Sequence, residues 1–475
     1  MSEWSESVRR ISTGIEGLDV VLKAGLIANR RYLVRGDPGL GKTTLGVSFL
    51  AAGKKAEPAL FIGFQEPPDE VRNNAMSLGI DTSSIEFLRL SPDEDFFIQN
   101  DAYDVFASSD VEQEPLSQTI TDAVERFCPK RVFIDSLTQL RFMSADVFQF
   151  RRQAMALLNY LVSRDCTVLF TSESSRDMPD NDLQFIADGV MNLERTQTRC
   201  TIHVSKFRGS AFDSGPHQFR VSEEGFSVYP RQLPPLPRNN LPEIRQLGSG
   251  NADLDAMLNG GLESSTVTLL TGPTGVGKST LAACYAIESA RQGHPAAVYI
   301  FEEECGTFMG RLRALGFELD ELLDSGNLLV DQVEPLRYLS DEFTCQVRDQ
   351  VETKGIEMVV LDSVEGFNIA LEAEEGVGRP LHAFAKALAR LGVTVILVNE
   401  NHVTTDTLTI SDRNISYLSD NVIYLRYLQT DSTLQKTIGV LKKRMTDFDN
   451  HLQLFNVTTG GFEIKRLPDN ARKQL

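Results

Sequence analysis

Two octapeptides in this chain carry residues suited to holding a nucleoside triphosphate. Gly36-Asp37-Pro38-Gly39-Leu40-Gly41-Lys42-Thr43 and Gly272-Pro273-Thr274-Gly275-Val276-Gly277-Lys278-Ser279 both fit G-x-x-x-x-G-K-[ST]. The glycines let successive backbone N–H groups turn toward a phosphate, Lys42 or Lys278 neutralises the β and γ oxygens, and the Thr43 or Ser279 hydroxyl ligates magnesium. Thr44 and Thr280, next in line, complete each candidate ATP-binding set. Two apolar runs, Val132-Phe133-Ile134-Asp135 and Val359-Val360-Leu361-Asp362, end in an acid. An aspartate at such a strand end orients the magnesium shell. Between loop and acid lie further carboxylates: Phe301-Glu302-Glu303-Glu304-Cys305 in the second half and Gly63-Phe64-Gln65-Glu66-Pro67 in the first. A carboxylate beside a phosphate loop can take a proton from water or from a hydroxyl attacking the γ-phosphate. Setting Glu304 against Glu66 gives the second half an acidic pair, Glu303-Glu304, and leaves the first with Gln65-Glu66. Glu303 is also assigned to the magnesium.

Chemistry of this kind needs a strand to deliver each loop and a helix to receive it. Residues 31–35 and 266–271 read as the delivering strands, 44–52 and 280–291 as the helices, so that the phosphates would lie on a helix N-terminus. Residues 59–64 and 297–302 read as short apolar strands, and Val393 to Val398 as a further core strand. Leu381, Phe384, Ala385, Leu388 and Leu391 mark one apolar face of a helix, which is core packing. The fold class expected is α/β: two tandem RecA-like P-loop domains, each a mostly parallel sheet flanked by helices.

The halves repeat well beyond the loops. Thr13-Gly14-Ile15-Glu16-Gly17-Leu18-Asp19 matches Ser249-Gly250-Asn251-Ala252-Asp253-Leu254-Asp255, and Gly225-Phe226 matches Gly461-Phe462, all at the spacing of 236 residues that separates Lys42 from Lys278. A period this long is a duplicated domain, since solenoid units are about 20 to 50 residues. Pro230, Pro234, Pro235, Pro237 and Pro242 favour an extended tether. The domains expected are therefore 1–238 and 239–475.

Composition narrows the function classes. The formal net charge of −19 argues against a large phosphate-backbone contact, so nucleic acid is not an expected partner. The six cysteines are scattered without C-x-x-C spacing and read as reduced thiols. Met1 to Ser7 has no apolar signal core and no apolar run approaches membrane-spanning length, so the expected location is the cytoplasm, with no membrane partner.

In these motifs the chain resembles the KaiC proteins, double-domain RecA-like ATPases typified by the cyanobacterial clock protein, from Gly14 to Phe462. The resemblance implies ATP and Mg2+ as cofactors, a homo-hexamer, and a catalytic Glu-Glu pair matched here by Glu303-Glu304, with Gln65-Glu66 in the first half. It implies a Lys-x-Arg finger that reaches the neighbouring subunit's nucleotide. Lys206-Phe207-Arg208-Gly209 matches the finger, and Lys442-Lys443-Arg444 matches it with Met445 in place of the glycine. The family's second domain phosphorylates two adjacent hydroxyl residues, to which Ser416-Tyr417 corresponds. The resemblance further implies a KaiB-like small protein on the first domain. Only 13 residues follow Phe462, which argues against control by a KaiA-type partner through a longer tail.

Three functions follow in order: an ATP-hydrolysing oligomer with serine/threonine-type autokinase activity in its second domain, serving signalling or timing; a RecA/RadA-type ATPase on single-stranded DNA; and a nucleotide-stabilised scaffold. The DNA reading lacks the basic loops it needs. The scaffold reading applies only to the first half, where Gln65 replaces an acid.

Overall fold

The computed structural model describes residues 9–53, 57–90, 109–142, 144, 146–173, 180–196, 199–231, 244–334, 337–371, 378–400, 419–430 and 433–467. The chain divides into two compact units, Met1–Arg231 and Gln232–Leu475. The tether prolines Pro234, Pro235, Pro237 and Pro242 lie outside the described residues.

The first unit is built on a nine-stranded sheet: β1 (Arg31–Arg35), β2 (Ala59–Gly63), β3 (Ile85–Arg89), β4 (Arg131–Asp135), β5 (Thr167–Ser172), β6 (Gly189–Arg195), β7 (Cys200–Phe207), β8 (His217–Ser222) and β9 (Gly225–Tyr229). The spatial order is β3-β2-β4-β5-β1-β6-β7-β8-β9. The first six are parallel and the last three antiparallel. The second unit repeats this with β10 (Val267–Gly272), β11 (Ala296–Ile300), β12 (Leu328–Gln332), β13 (Met358–Asp362), β14 (Thr394–Glu400), β15 (Asn421–Thr430), β16 (Thr433–Lys443), β17 (Gln453–Thr458) and β18 (Gly461–Arg466), in the order β12-β11-β13-β14-β10-β15-β16-β17-β18. Taken strand for strand, the two orders are the same, and both units are RecA-like α/β domains.

Parallel strands covered on both faces read as continuous apolar runs, and β4 and β13 do so. Helix α1 (Lys42–Ala51) packs on one face of the first sheet, where Phe49 and Phe133 are fully buried. Helix α4 (Val147–Ser163), reached after α2 (Pro68–Ser77) and α3 (Ser109–Phe127), covers the other face with Phe150, Leu158 and Leu161. Each such side chain contributes about 1.5–3 kcal/mol on burial. The second unit matches with α5 (Lys278–Arg291), α6 (Cys305–Ala314), α7 (Ser340–Lys354) and α8 (Gly378–Arg390), and Leu381, Phe384, Ala385 and Leu388 of α8 are buried as the apolar stripe requires. Strand β11 stops at Ile300, two residues short of the expected end at Glu302. Among the described residues no helix is long and apolar enough to cross a membrane.

Candidate nucleotide sites

Both phosphate loops connect a central strand to a helix: β1 to α1 and β10 to α5. Each turns into its helix through a glycine in the left-handed region, Gly41 at φ 81° and Gly277 at φ 116°. A Cβ there would lie 2.9 Å from Val221 or 2.8 Å from Phe455, so these positions require glycine on two counts. Leu40 and Val276 are buried beneath their loops, while Pro38 and Gly39 are exposed.

In the first site the Lys42 ammonium donates to the carbonyls of Gly36 at 2.8 Å and Asp37 at 3.0 Å, folded back onto its own loop. Burial lowers its pKa, with Asp135, Glu173 and Asp37 opposing. The Thr43 hydroxyl donates to Asp135 at 2.6 Å, and Thr171 donates to the other oxygen of Asp135 at 2.5 Å. Lys42 and Thr43 line a cleft of about 380 Å³ together with Thr44, Glu66 and Asn74. Burial, with Asp135 and Glu70, pushes the Glu66 carboxyl above the ordinary range.

The second site has the same plan. Lys278 donates to the Pro273 carbonyl at 2.8 Å, and burial again lowers its pKa against Glu400, Asp362 and Glu302. Ser279 hydrogen-bonds Asp362. Burial pushes the Asp362 carboxyl up to about 6, with the Ser279 bond and the nearby Arg311 charge working against the rise. The Thr274 hydroxyl donates to Glu400, Tyr427 donates to the Thr274 carbonyl at 3.2 Å, and Lys436 donates to the Gly275 carbonyl at 2.8 Å.

The register of the acidic segments differs by one residue from the sequence expectation. Phe64 N donates to Asp135 O at 3.1 Å, and Phe301 N to Asp362 O at 2.8 Å, which makes Phe64 and Phe301 equivalent. Two residues beyond Glu66 and Glu303 the next helices begin, capped by Pro67 at φ −60°, ψ 141° and Glu304 at φ −65°, ψ 135°. Gln65 therefore corresponds to Glu302 and Glu66 to Glu303, while Glu304 takes the place of Pro67 as a helix cap. By this backbone register the pair equivalent to Gln65-Glu66 is Glu302-Glu303 and not Glu303-Glu304. A serine follows each strand-end acid: the Ser363 hydroxyl donates to Glu302, whereas the Ser136 hydroxyl is buried with no partner among the described residues. Glu303 is engaged by Arg311, whose guanidinium donates to it at 2.7 Å and to the Thr280 hydroxyl at 2.8 Å.

The two fingers are anchored alike. Lys206 donates to the Gln184 carbonyl at 2.8 Å and Lys442 to the Ser419 carbonyl at 2.6 Å. Arg208 lies 3.7 Å from Asp188, and Arg444 lies 3.2 Å from Asp420. Both arginines are more than half exposed. Lys443, between the second pair, points inward to a buried ion pair with Glu263 at 2.7 Å. Ser416 and Tyr417 lie outside the described residues.

Reading the sequence missed Arg311, Glu173 with Glu400, and Ser136 with Ser363. The serines and the strand-end acids carried a signal, because each recurs at the same point of both halves. Arg311 carried none, since its counterpart seven residues beyond the helix cap is Asn74.

Thr43 with Asp135 and Ser279 with Asp362 fit a magnesium ion, which takes one or two protein oxygens beside substrate phosphates and keeps several waters. Burial and the neighbouring Glu302 carboxylate hold the Asp362 carboxyl up even with Arg311 and Lys278 nearby. No cluster of three or more His, Cys, Asp or Glu suited to a metal occurs among the described residues.

A family model described as "ATPase: KaiC" matches residues 11–233 and again 247–469. The chain is similar to the circadian clock oscillator protein KaiC of Prochlorococcus marinus strain CCMP1986, at 27% identity over 96% of this chain and 91% of that protein. It is similar also to the KaiC of strain SARG of the same species, at 27% over 96% and 92%, and to that of Picosynechococcus sp., at 26% over 97% and 90%.

Proposed function

The chain belongs to the KaiC ATPase family, and from that membership we propose that both domains bind and hydrolyse Mg-ATP within a ring of identical subunits, and that the second domain phosphorylates Ser416. The observation that carries the reading is the repeated constellation of lysine, hydroxyl and strand-end acid at the C-terminal edge of two sheets with one topology. In each site the loop amides and Lys42 or Lys278 bind the β and γ phosphates. Lys42 and Lys278 now bond their own loop carbonyls and exchange those partners for phosphate oxygens. Thr43 with Asp135, and Ser279 with Asp362, hold magnesium, which when bound neutralises charge developing between the β and γ phosphates. Glu302 and Glu66 stand where the attacking water or hydroxyl loses its proton.

The exposed guanidinium groups of Arg208 and Arg444, each one residue past its strand, lie at the sheet edge opposite their own phosphate loop, because Phe207 and Lys443 pair beside the N-terminal ends of β1 and β10. Acting in trans they complete a neighbour's site, and heterologous contacts of that kind close into rings, here a hexamer. Autotransfer to Ser416 demands an in-line hydroxyl within hydrogen-bond reach of the base, which suits serine, while Tyr417 carries its hydroxyl further from the backbone. The protein so described is a cytoplasmic signalling or timing ATPase, with a KaiB-like small protein as the partner expected on the first domain.

Incubation with γ-labelled ATP and Mg2+ tests this reading. Phosphate release and label on Ser416 are expected, with label lost in Ser416→Ala. Undiminished labelling of that variant places the acceptor elsewhere, and a monomer in light scattering with saturating Mg-ATP overturns the ring.

A further inference from the structure

The acidic segments of the two sites differ at two positions, and the differences are complementary. The first site reads Gln65, Glu66 and, seven residues past the helix cap, Asn74. The second reads Glu302, Glu303 and Arg311. Glu66 has no lysine or arginine partner among the described residues, and it stands with Asn74 on the wall of the cleft. Glu303, its equivalent, is bound by Arg311 at 2.7 Å, and the same guanidinium is fixed from its other side by Thr280 at 2.8 Å, on the helix that carries the phosphate loop. A charge-assisted bond of this length occupies the carboxylate. Glu302 makes no such pair; its described partner is the Ser363 hydroxyl.

We propose that Arg311 is a positioning residue that selects the proton acceptor of the second site: by holding Glu303 it assigns the task to Glu302, whereas in the first site, with Asn74 in its place, Glu66 takes the proton. This rests on the hydrolytic reading above. In either site the water oxygen bonds to the γ-phosphorus as the bond from that phosphorus to the β–γ bridging oxygen breaks. The electron pair leaves on ADP, and the proton from water passes to the selected carboxylate. The glutamine of the first site orients and accepts no proton, which matches an arrangement in which the following glutamate is left unpaired.

The proposal makes a demand on a double variant. In full-length protein with the first site silenced by Glu66→Gln, Glu302→Gln should lower second-site phosphate release by about 10² or more, the usual effect of losing a general base. Glu303→Gln should lower it far less. Adding Arg311→Asn to Glu302→Gln reproduces the first site's set of residues and should restore release at least about tenfold over Glu302→Gln alone. Arg311→Gln should do the same, and Arg311→Lys, which keeps a cation beside Glu303, should not. Binding of a fluorescent ATP analogue, read in the same proteins, should stay within about threefold of wild type, separating kcat from KM. Failure of both Arg311→Asn and Arg311→Gln to restore release, or equal losses from Glu302→Gln and Glu303→Gln, overturns the assignment. Absence of phosphate release in the parent protein instead overturns the hydrolytic reading on which it rests.

Discussion

The first and second nucleotide sites share nine strands in the same order, the same loop geometry and the same hydroxyl-to-acid bond, yet they differ where a proton must move. Ser136 is buried with no hydroxyl partner among the described residues, and Glu302 accepts from Ser363. Glu66 is uncompensated by a cation and its pKa is raised, whereas Glu303 is held by Arg311. The frame suited to phosphate is backbone geometry and one lysine, and both loops keep its three glycines and that lysine. The groups around it are single side chains at the sheet edge, and each can change without disturbing the frame.

The same lesson holds away from the nucleotide. Lys443 and Glu263 form an ion pair with both side chains almost fully buried, and Lys443 also donates to the Leu258 carbonyl and to Thr446. The matching positions in the first domain are Phe207 and Ile27, both buried and apolar. One core is closed by packing and the other by charge.

The comparison can be broken most forcefully at Glu302. Glu302→Gln should reduce second-site phosphate release by about 10² to 10⁴, while Glu303→Gln should cost much less. The next largest effect is on stability. Lys443→Met leaves Glu263 buried and unpaired and should destabilise the second domain by about 3–5 kcal/mol, but Lys443→Phe with Glu263→Ile, the first domain's pair, should recover most of the loss in denaturant unfolding. A third change sharpens the comparison from the other side. Gln65→Glu gives the first site a second carboxylate, and should raise first-site turnover by about tenfold when the second site is silenced by Glu302→Gln.

The smallest effect is on pH. Asp362 must be ionised to orient magnesium, and its value is pushed up to about 6, so protons compete with Mg-ATP there. Binding to the second site should be about twofold weaker at pH 6 than at pH 7.5 and about tenfold weaker by pH 5, read by fluorescent nucleotide titration of each singly silenced protein. The sign is that of an acid whose folded value lies above its unfolded one. In nucleotide-free protein its contribution to stability is present at low pH and is lost as pH rises through about 6.

Most of the frame was legible because its causes are local. The loops are spelled by glycines and a lysine, the buried parallel strands by apolar runs, and the duplication by a constant spacing. The register of the acids was not legible, since three consecutive glutamates give no local reason to prefer one pair. What decides it is tertiary: where β11 ends, which carbonyl Phe301 reaches, and where the next helix is capped. Arg311 was invisible for a related reason, as its meaning depends on a helix returning its side chain to Glu303 and Thr280. Lys443, the middle residue of Lys-x-Arg, carried no signal of its own, and only the strand alternation that turns it inward shows its ion pair with Glu263.

The central claim is that both sites turn over and that their rates are set separately by Glu66 and Glu302. Phosphate release measured on four full-length proteins, wild type, Glu66→Gln, Glu302→Gln and the double variant, tests it most directly. The account predicts that the two single variants' rates sum to that of wild type and that the double variant falls by about 10² or more. A double variant that keeps the wild-type rate would contradict it.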